Sequence, residues 1–366
     1  MTRRMTRRMT RREAVSFLLL LAGCSRPRPE QPAHREALGR AARYLWNRQA
    51  PGGGWHSRTY GLLRSGQSLT PFVLLALLEA GDAEAAKVER AVEFIQGHLD
   101  DAGALGRHDP LAPDYPNYAT ALAIQAIAKA RPQGWERMIA PMVRYLRLQQ
   151  FAEVNGWQRD HPVYGAWGMG GDRRTPPETG HVDLSMTRHV VEALAGAGVP
   201  PSDPVMERAK VFLTRCQNPD GGFYFSTVVL DANKAGQEGE RYRSYGTATA
   251  DGILSLLALG YRADHPHTRA AALWLQSHHR SDGAPGFHGD ACQKWIGGLR
   301  YYYAAGSAEV FRRLGIAPDV KQAELLAAEQ RGDGSWANPN PLVKEDDPLI
   351  ATAFAVRAWG GSAPVR

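Results

Sequence analysis

Apolar and polar positions along this chain follow two helical patterns that alternate. The amphipathic pattern, which ends near a Gln, predicts helices near 35–49, 84–98, 134–150, 203–217, 266–278 and 319–330. The other pattern is apolar nearly all round, as in buried helices, and predicts helices near 69–81, 118–130, 184–197, 247–260, 293–312 and 349–360. Because the two kinds alternate, the sequence predicts six hairpins, each with an outer helix followed by an inner one.

The turn inside each hairpin carries a repeated motif. Residues 330–336 read Gln-Arg-Gly-Asp-Gly-Ser-Trp, residues 217–223 repeat this with Phe, and residues 49–55 repeat it without the Asp. Looser copies are 150–157, 276–287 and a worn copy that starts at Gln96. Glycine supplies positive φ, and the aromatic ring anchors the turn by burial. Six hairpins that close in a ring form an all-α (α/α)6 toroid; an open solenoid is the alternative.

This repeat resembles that of the squalene/hopene cyclases, which protein prenyltransferase β subunits share in a weaker form. The resemblance covers roughly residues 35–361. Residues 244–247 and 298–303, Ser-Tyr-Gly-Thr and Gly-Leu-Arg-Tyr-Tyr-Tyr, are similar to segments in bacterial proteins of this repeat family. The resemblance implies the toroid fold, but a fold does not by itself fix an activity.

The first residues indicate export. Residues 1–23 are typical of a signal peptide, with three Met-Thr-Arg-Arg copies and an apolar run at 14–23 that is too short to span a bilayer. Residues 21–24 resemble a lipobox, which implies lipid on Cys24 and a membrane anchor; residues 10–15 resemble a twin-arginine signal. An ordinary signal peptide with a chance cysteine is the alternative. A Pro-rich tether at 24–34 and a toroid domain at 35–366 follow.

Most of the formal net charge of the chain comes from the predicted signal peptide. The whole chain carries a formal charge of +7, but residues 1–23 contain six arginines and one glutamate. The remainder has 38 basic and 36 acidic residues, a charge of +2, and shows no basic stripe. We therefore expect no nucleic-acid partner.

The cysteines and a short acidic motif raise the question of a metal. Cys216 and Cys292 lie at the same end of neighbouring repeats, where a disulfide is conceivable and two unpaired thiols are favoured. Residues 290–292, Asp-Ala-Cys, resemble part of the prenyltransferase zinc site, but the position of the histidine ligand falls at Ala351. We therefore expect no metal and no cofactor.

Two long loops point to the end of the ring where a site forms. Residues 152–183 and 219–246 leave the end at which inner helices begin, so we expect a pocket there. Aromatic faces stabilise carbocations, bind sugars and also serve as structural wedges. The candidate substrate-binding residues are Trp157, Trp167, Tyr245, Trp295, Tyr115 and His288.

The acid is the decisive feature for a cyclase. The resemblance implies an Asp-x-Asp-Asp-Thr motif, whose middle Asp protonates an alkene. Residues 183–187 read Asp-Leu-Ser-Met-Thr, so Ser185 stands in the place of the proton donor. The catalytic candidates are Asp183, Asp251 and His181, although Asp183 also fits a helix N-cap, as does Asp347 before Pro348.

Three functions remain open at this point. The first is a terpene-cyclase-like enzyme that acts on an apolar polyprenoid in the central cavity. The second is a non-catalytic exported lipoprotein that binds a lipid, glycan or peptide. The third is a carbohydrate-active toroid, which requires two carboxylates across the pocket, Asp183 with Asp251 or Asp346.

Overall fold

The computed structural model describes residues 32–107 and 113–360. The predicted signal peptide, Cys24 and most of the tether lie outside these residues. The described residues form thirteen α-helices: α1 Pro32–Trp46, α2 Leu69–Glu79, α3 Ala85–Gly97, α4 Pro116–Ala130, α5 Trp135–Leu148, α6 Leu184–Gly196, α7 Pro204–Cys216, α8 Gly246–Ala258, α9 Pro266–His278, α10 Asp290–Gly298, α11 Arg300–Leu314, α12 Val320–Glu329 and α13 Pro348–Gly360. A two-residue antiparallel pair, β1 Gln237–Glu238 and β2 Arg241–Tyr242, lies in the loop before α8.

The inner helices close in a ring. Helices α2, α4, α6, α8, α11 and α13 each pack against the next, and α13 packs back against α2. The first outer helix, α1, contacts both α12 and α13, so the outer layer also joins its two ends. The predicted (α/α)6 toroid is therefore confirmed, and the open solenoid is wrong.

Burial separates the two layers as the apolar pattern predicts. In α2 every residue from Leu69 to Leu77 is buried, because the helix lies between the cavity and the outer layer. In the outer helix α5, by contrast, the buried residues lie on one face: Ile139, Met142, Tyr145 and Leu146.

The motif glutamines join neighbouring repeats. The Nε2 group of Gln330 donates to Gly334 O at 2.9 Å in its own turn and to Ala37 O at 2.8 Å in α1. Gln49 and Gln217 make the same pair of bonds, each to its own turn and to the next outer helix. Since the sixth repeat thereby bonds to the first, the repeat motif itself closes the ring.

The same contacts correct the third repeat. Gln150 Nε2 donates to Gly165 O at 3.1 Å and to Val205 O at 2.8 Å, so the turn contains Gly165 and Trp167. The expected copy at 150–157 is therefore wrong: fourteen residues separate Gln150 from its turn glycine, whereas three separate Gln330 from Gly334, so this loop contains an insertion of eleven residues. Gly165 has a φ of +88°, and a Cβ there would lie 1.9 Å from Arg208 O.

Three tryptophans, which we call the wedge tryptophans, occupy equivalent places: Trp55, Trp167 and Trp336. All three are fully buried. Their indole N–H groups donate to carbonyls near the end of the preceding outer helix, those of Leu45, Leu146 and Leu326, at 2.7, 2.7 and 2.8 Å. Such terminal carbonyls lack full helical partners, so each wedge tryptophan both packs the turn and caps a helix.

A threonine near the start of the inner helix completes the repeated unit. The backbone N–H of Trp336 donates to Thr352 Oγ1 at 3.0 Å. The equivalent acceptors are Thr70, Thr120, Thr187 and Thr249. Each bond fixes the turn against the inner helix that follows it.

The fifth inner helix differs from its prediction. The expected helix at 293–312 is two helices, α10 and α11, which break at Leu299 after two glycines. Glu345 stabilises the second start: its carboxylate oxygens accept the backbone N–H groups of Tyr301 at 3.1 Å and Tyr302 at 2.8 Å. Burial raises the pKa of Glu345 to about 7.

Both cysteines in the described residues are free thiols. Cys216 is buried and burial raises its pKa, so the site disfavours a thiolate. No helix in the described residues has the length and apolarity that a membrane crossing requires.

Candidate functional site

A cavity of about 400 Å³ lies at the end of the ring where the inner helices begin. All six inner helices contribute a residue to its wall: Leu69, Tyr118, Met186, Thr247, Tyr302 and Ile350 are examples. This places the cavity at the predicted mouth. Its volume falls within the roughly 300–1,000 Å³ typical of small-molecule sites.

The wall of the cavity is mainly apolar. Its aromatic and aliphatic members are Leu63, Leu69, Phe72, Tyr115, Tyr118, Met169, Met186, Phe225, Ala232, Tyr245, Leu299, Tyr302, Leu342, Val343, Ile350 and Phe354. Phe354 lies between Phe72 and Tyr302, with ring centroids 4.9 and 5.3 Å away. The deep wall therefore presents ring edges and faces to whatever fills the cavity.

Loops of five repeats contribute to the cavity wall, including Leu63 before α2 and Tyr115 before α4. The loop before α8 supplies Phe225, Ala232 and Lys234, and the loop before α13 supplies Leu342, Val343 and Lys344. The long third loop adds Met169 and His181. Two of these loops are those whose length predicted a role, at 152–183 and 219–246.

A chain of hydrogen bonds leads from the cavity to a buried acid. Ser185 Oγ and Tyr302 Oη, both on the wall, lie 2.7 Å apart, and Tyr302 Oη donates to Asp251 Oδ2 at 2.6 Å. Arg188 Nη1 donates to Asp251 Oδ1 at 3.2 Å. Burial raises the pKa of Asp251 to about 6, and the charge of Arg188 opposes that rise. Asp251 is thus a proton-binding group one side chain behind the wall.

The ionic network continues along α6, beside His189, which lines the cavity. Arg188 Nε donates to Glu192 Oε2 at 3.0 Å, and Arg313 Nη2 lies 3.4 Å from Glu192 Oε1. Burial, followed by the charge of Arg188, lowers the pKa of His189 well below its ordinary value. His189 is therefore neutral at pH 7, and its buried Nδ1 has no hydrogen-bond partner among the described residues.

Asp183 has two structural contacts. Its Oδ1 accepts the backbone N–H of Met186 at 2.7 Å, which makes Asp183 the N-cap of α6. Its Oδ2 lies 2.8 Å from His181 Nε2. The cap prediction is confirmed, as it is for Asp347, whose Oδ1 accepts the N–H of Leu349. Both oxygens of Asp183 are thus engaged before any ligand arrives.

Four predicted binding residues do not line the cavity. Trp157 and Trp167 are fully buried away from the cavity. The indole N–H of Trp157 donates to the carbonyl of Arg174, and Trp167 is a wedge tryptophan. His288 is exposed, and Trp295 is half-buried on α10. Of the predicted set, the residues on the wall are Tyr115, Tyr245, His181 and Asp183.

Several residues at the site are absent from the sequence-based prediction. Ser185, Arg188, His189 and Glu192 repeat at helical spacing along α6, and that periodicity from Asp183 is a signal that could identify them. Lys234 and Lys344 lie in loops without periodicity, and no sequence pattern places them at the mouth.

The described residues contain no group of three or more His, Cys, Asp or Glu side chains placed to hold a metal ion. A second depression of about 610 Å³ lies elsewhere, between Val154 and Pro176. Loop residues alone line it, and it lacks the aromatic wall of the central cavity.

Comparison with known proteins supports the fold and leaves the activity open. No protein-family model matches the chain, and no curated protein matches its sequence. A protein from Actinoplanes is similar in structure, with 17% identity, a TM-score of 0.56, and coverage of 90% of this chain and 100% of that one. The type II terpene cyclase MstE from Scytonema has 13% identity and a TM-score of 0.56, covering 90% and 98%.

A glycosidase variant, E178A, is similar to the same degree, with 13% identity, a TM-score of 0.55, and coverage of 91% and 98%. At these identities the likeness shows a shared α/α-toroid fold and no more. Toroids with different activities therefore resemble this chain equally, and function has to be argued from the site.

Proposed function

We propose that this protein binds an apolar polyprenoid in its central cavity. The observation that carries the proposal is the wall of aromatic and aliphatic side chains around about 400 Å³. Transfer of an isoprenoid chain from water to such a wall stabilises the complex by about 0.8 kcal/mol per buried CH₂. Aromatic rings such as Phe72 and Phe354 also match the flat double bonds of an isoprenoid.

The cavity suits a sugar poorly. Each buried sugar hydroxyl needs a hydrogen-bond partner, and an unpaired one costs about 1–3 kcal/mol. On the wall below the two lysines at the mouth, the hydroxyls of Ser185 and Tyr302 are bonded to each other, that of Ser68 is bonded to Asp114, and both oxygens of Asp183 are engaged. Asp183 is the one carboxylate on the described wall, so the pair that glycoside hydrolysis requires is not assembled there.

Acid-initiated cyclisation also lacks its donor. Ser185, which aligns with the cyclase acid, carries a hydroxyl that is too weak an acid to protonate an alkene. Asp183 is engaged as a cap and by His181. Binding, with or without later chemistry, is therefore the function that the site supports best.

One observation favours an enzyme as the second candidate. The Ser185–Tyr302–Asp251 chain joins the cavity to an acid with a pKa of about 6, and such a chain can move a proton. In that case a protonated Asp251 would be the acid, and Tyr302 would pass its own hydroxyl proton to the ligand while it takes up the proton of Asp251. Incubation with squalene, followed by product analysis, distinguishes an enzyme from a carrier.

The direct test is equilibrium binding of tritium-labelled geraniol, farnesol and geranylgeraniol. We expect saturable binding with one optimal chain length, because a cavity of about 400 Å³ holds a limited number of isoprene units. Ala232→Trp, at the half-buried mouth, should reduce the affinity by blocking entry. Ala86→Trp, at an exposed position on the outer helix α3, is the matched control and should bind as wild type does. Equal binding by wild type and Ala232→Trp would refute the cavity as the site.

Export and anchoring belong to the same proposal. The lipobox-like residues 21–24 support a protein held at a membrane surface, where polyprenoids are found. Cys24→Ser should release the protein from membranes or block its processing. Normal cleavage and continued membrane association of that variant, measured by fractionation and N-terminal mass spectrometry, would contradict the anchor.

A further inference from the structure

We infer that the mouth of the central cavity is an oxyanion site, in which Lys234 and Lys344 bind the phosphate or carboxylate head group of an isoprenoid ligand. This inference rests on the proposed function and specifies the class of ligand. The two lysines lie in loops and are not part of the repeat motif.

Both lysines line the cavity, and both are half-buried. Among the described residues, neither ammonium group has a carboxylate within ion-pair distance; the ion pairs of the chain lie elsewhere. A charged group that is partly withdrawn from water and unpaired is costly unless a counter-charge arrives. An anionic head group would supply that counter-charge.

Neutral groups, rather than carboxylates, hold the Lys234 side chain. Its Nζ lies 3.9 Å from the ring centroid of Phe225 and 5.4 Å from that of Trp295. It also donates to the backbone carbonyl of Ala232 at 3.3 Å. Such groups orient an ammonium group without neutralising it.

Lys344 is held in the same way. Its Nζ lies 5.6 Å from the ring centroid of Tyr60 and 5.7 Å from that of Tyr115, and it donates to Tyr115 Oη at 3.2 Å. Its positive charge is therefore also left without a counter-charge in contact.

The acids near Lys234 are already engaged. Asp183 is bonded to Met186 N and His181, and Asp251 is bonded to buried partners of its own. Burial, the largest effect, lowers the pKa of Lys234, and the charges of Asp183 and Asp251 oppose that change. These acids therefore influence the lysine from a distance and leave its charge without a contact partner.

The acids near Lys344 are engaged as well. Asp114 lies within electrostatic range, but it accepts from Ser68 Oγ at 2.6 Å and from Ser68 N at 3.1 Å. The carboxylate oxygens of Glu345 accept backbone N–H groups of α11, and Asp346 Oδ1 accepts from the hydroxyl of Tyr60 at 2.5 Å. None of these three acids forms an ion pair with Lys344.

The position of the lysines at the mouth, above the apolar wall, fits a ligand with a charged head group and an apolar chain. Lys234 packs on rings from the fourth and fifth repeats, and Lys344 on rings from the first and second, so they reach the mouth from different sides. The six inner helices also begin there, which adds positive potential. The apolar wall lies deeper, where the chain of an amphipathic anion would extend.

The test compares three probes with one isoprenoid chain: farnesyl phosphate, farnesoic acid and farnesol. In wild type we expect at least one anion to bind about tenfold or more tightly than farnesol, since a charge-assisted contact is worth that factor. Lys234→Met and Lys344→Met keep an apolar stem and should each remove most of that preference, because the affinity for the anion should fall more than the affinity for farnesol. Lys321→Met, an exposed position on α12, is the matched control and should change nothing.

The outcomes separate the two proposals. Equal affinity for farnesol and both anions refutes the oxyanion site and leaves the apolar cavity intact. Absence of binding by all three probes contradicts the proposed function itself. A preference for the anion that survives in both lysine variants also overturns the assignment. If the site is confirmed, the preferred anion, phosphate or carboxylate, identifies the head group that it accepts.

Discussion

Replacement of Trp336 tests the repeat unit most sharply. The side chain is fully buried, its centroid lies 5.2 Å from that of Trp359, and its indole N–H caps α12 through Leu326 O. Trp336→Ala removes both the packing and the cap, and should reduce the free energy of unfolding by about 3–5 kcal/mol. Trp336→Phe keeps much of the packing and leaves the Leu326 carbonyl without this donor, at a cost of about 1–3 kcal/mol.

Urea denaturation followed by far-ultraviolet circular dichroism measures both losses, because the fold is helical. Trp295→Ala is the control: that ring is half-buried on α10, outside the wedge positions, and its removal should cost less than Trp336→Ala. Equal losses for Trp336→Phe and Trp336→Ala would show that the hydrogen bond outweighs the packing. An unchanged midpoint in both variants would refute the wedge role altogether.

Three further predictions concern the turn, the cap and a buried acid. Gly334→Ala should cost at least about 1–3 kcal/mol, because φ is +91° and the new Cβ would lie 2.6 Å from Arg40 O, whereas Gly332→Ala, with open space around it, should be nearly neutral in the same urea assay. Asp183→Asn should lose a few tenths of a kcal/mol and Asp183→Ala about 0.5–2 kcal/mol in thermal denaturation; loss of any turnover in a stable Asp183→Asn variant would restore a catalytic role. Because folding raises the pKa of Glu345 from 4.5 to about 7, the folded state retains a proton that the unfolded chain releases, and stability from this group is lost as pH rises through that range. Glu345→Gln should therefore flatten the decline in unfolding free energy between about pH 4.5 and 7, by up to about 3 kcal/mol, and an unaltered slope would contradict the shift.

The fold could be predicted because the motif residues make the same contacts in different repeats. Gln330, its glycine and Trp336 bond to groups that recur at fixed sequence offsets, so the pattern survives in the sequence. The third repeat misleads because the insertion carries its own Asn-Gly-Trp, which copies the motif without its contacts. Trp157 consequently bonds to Arg174 rather than to an outer helix.

The site is harder to predict than the ring. The length of two loops indicates where the mouth of the cavity lies. The sequence also shows that Ser185 stands where the cyclase motif has a carboxylate. The partners of Asp251 cannot be recognised in the sequence, because Arg188 and Tyr302 come from the two neighbouring inner helices, α6 and α11, and lie 63 and 51 residues away from it. The position of Lys344 depends on the conformation of the loop before α13. Lys344 itself has a φ of +65° there, a conformation that no local pattern indicates.

A crystal structure of the protein with farnesyl phosphate would show directly whether the toroid encloses an isoprenoid. We predict electron density for the isoprenoid chain against Phe72, Tyr118 and Phe354, with the phosphate at Lys234 and Lys344. Density for the chain outside the ring, for example in the depression near Pro176, would contradict the claim that the toroid encloses its ligand.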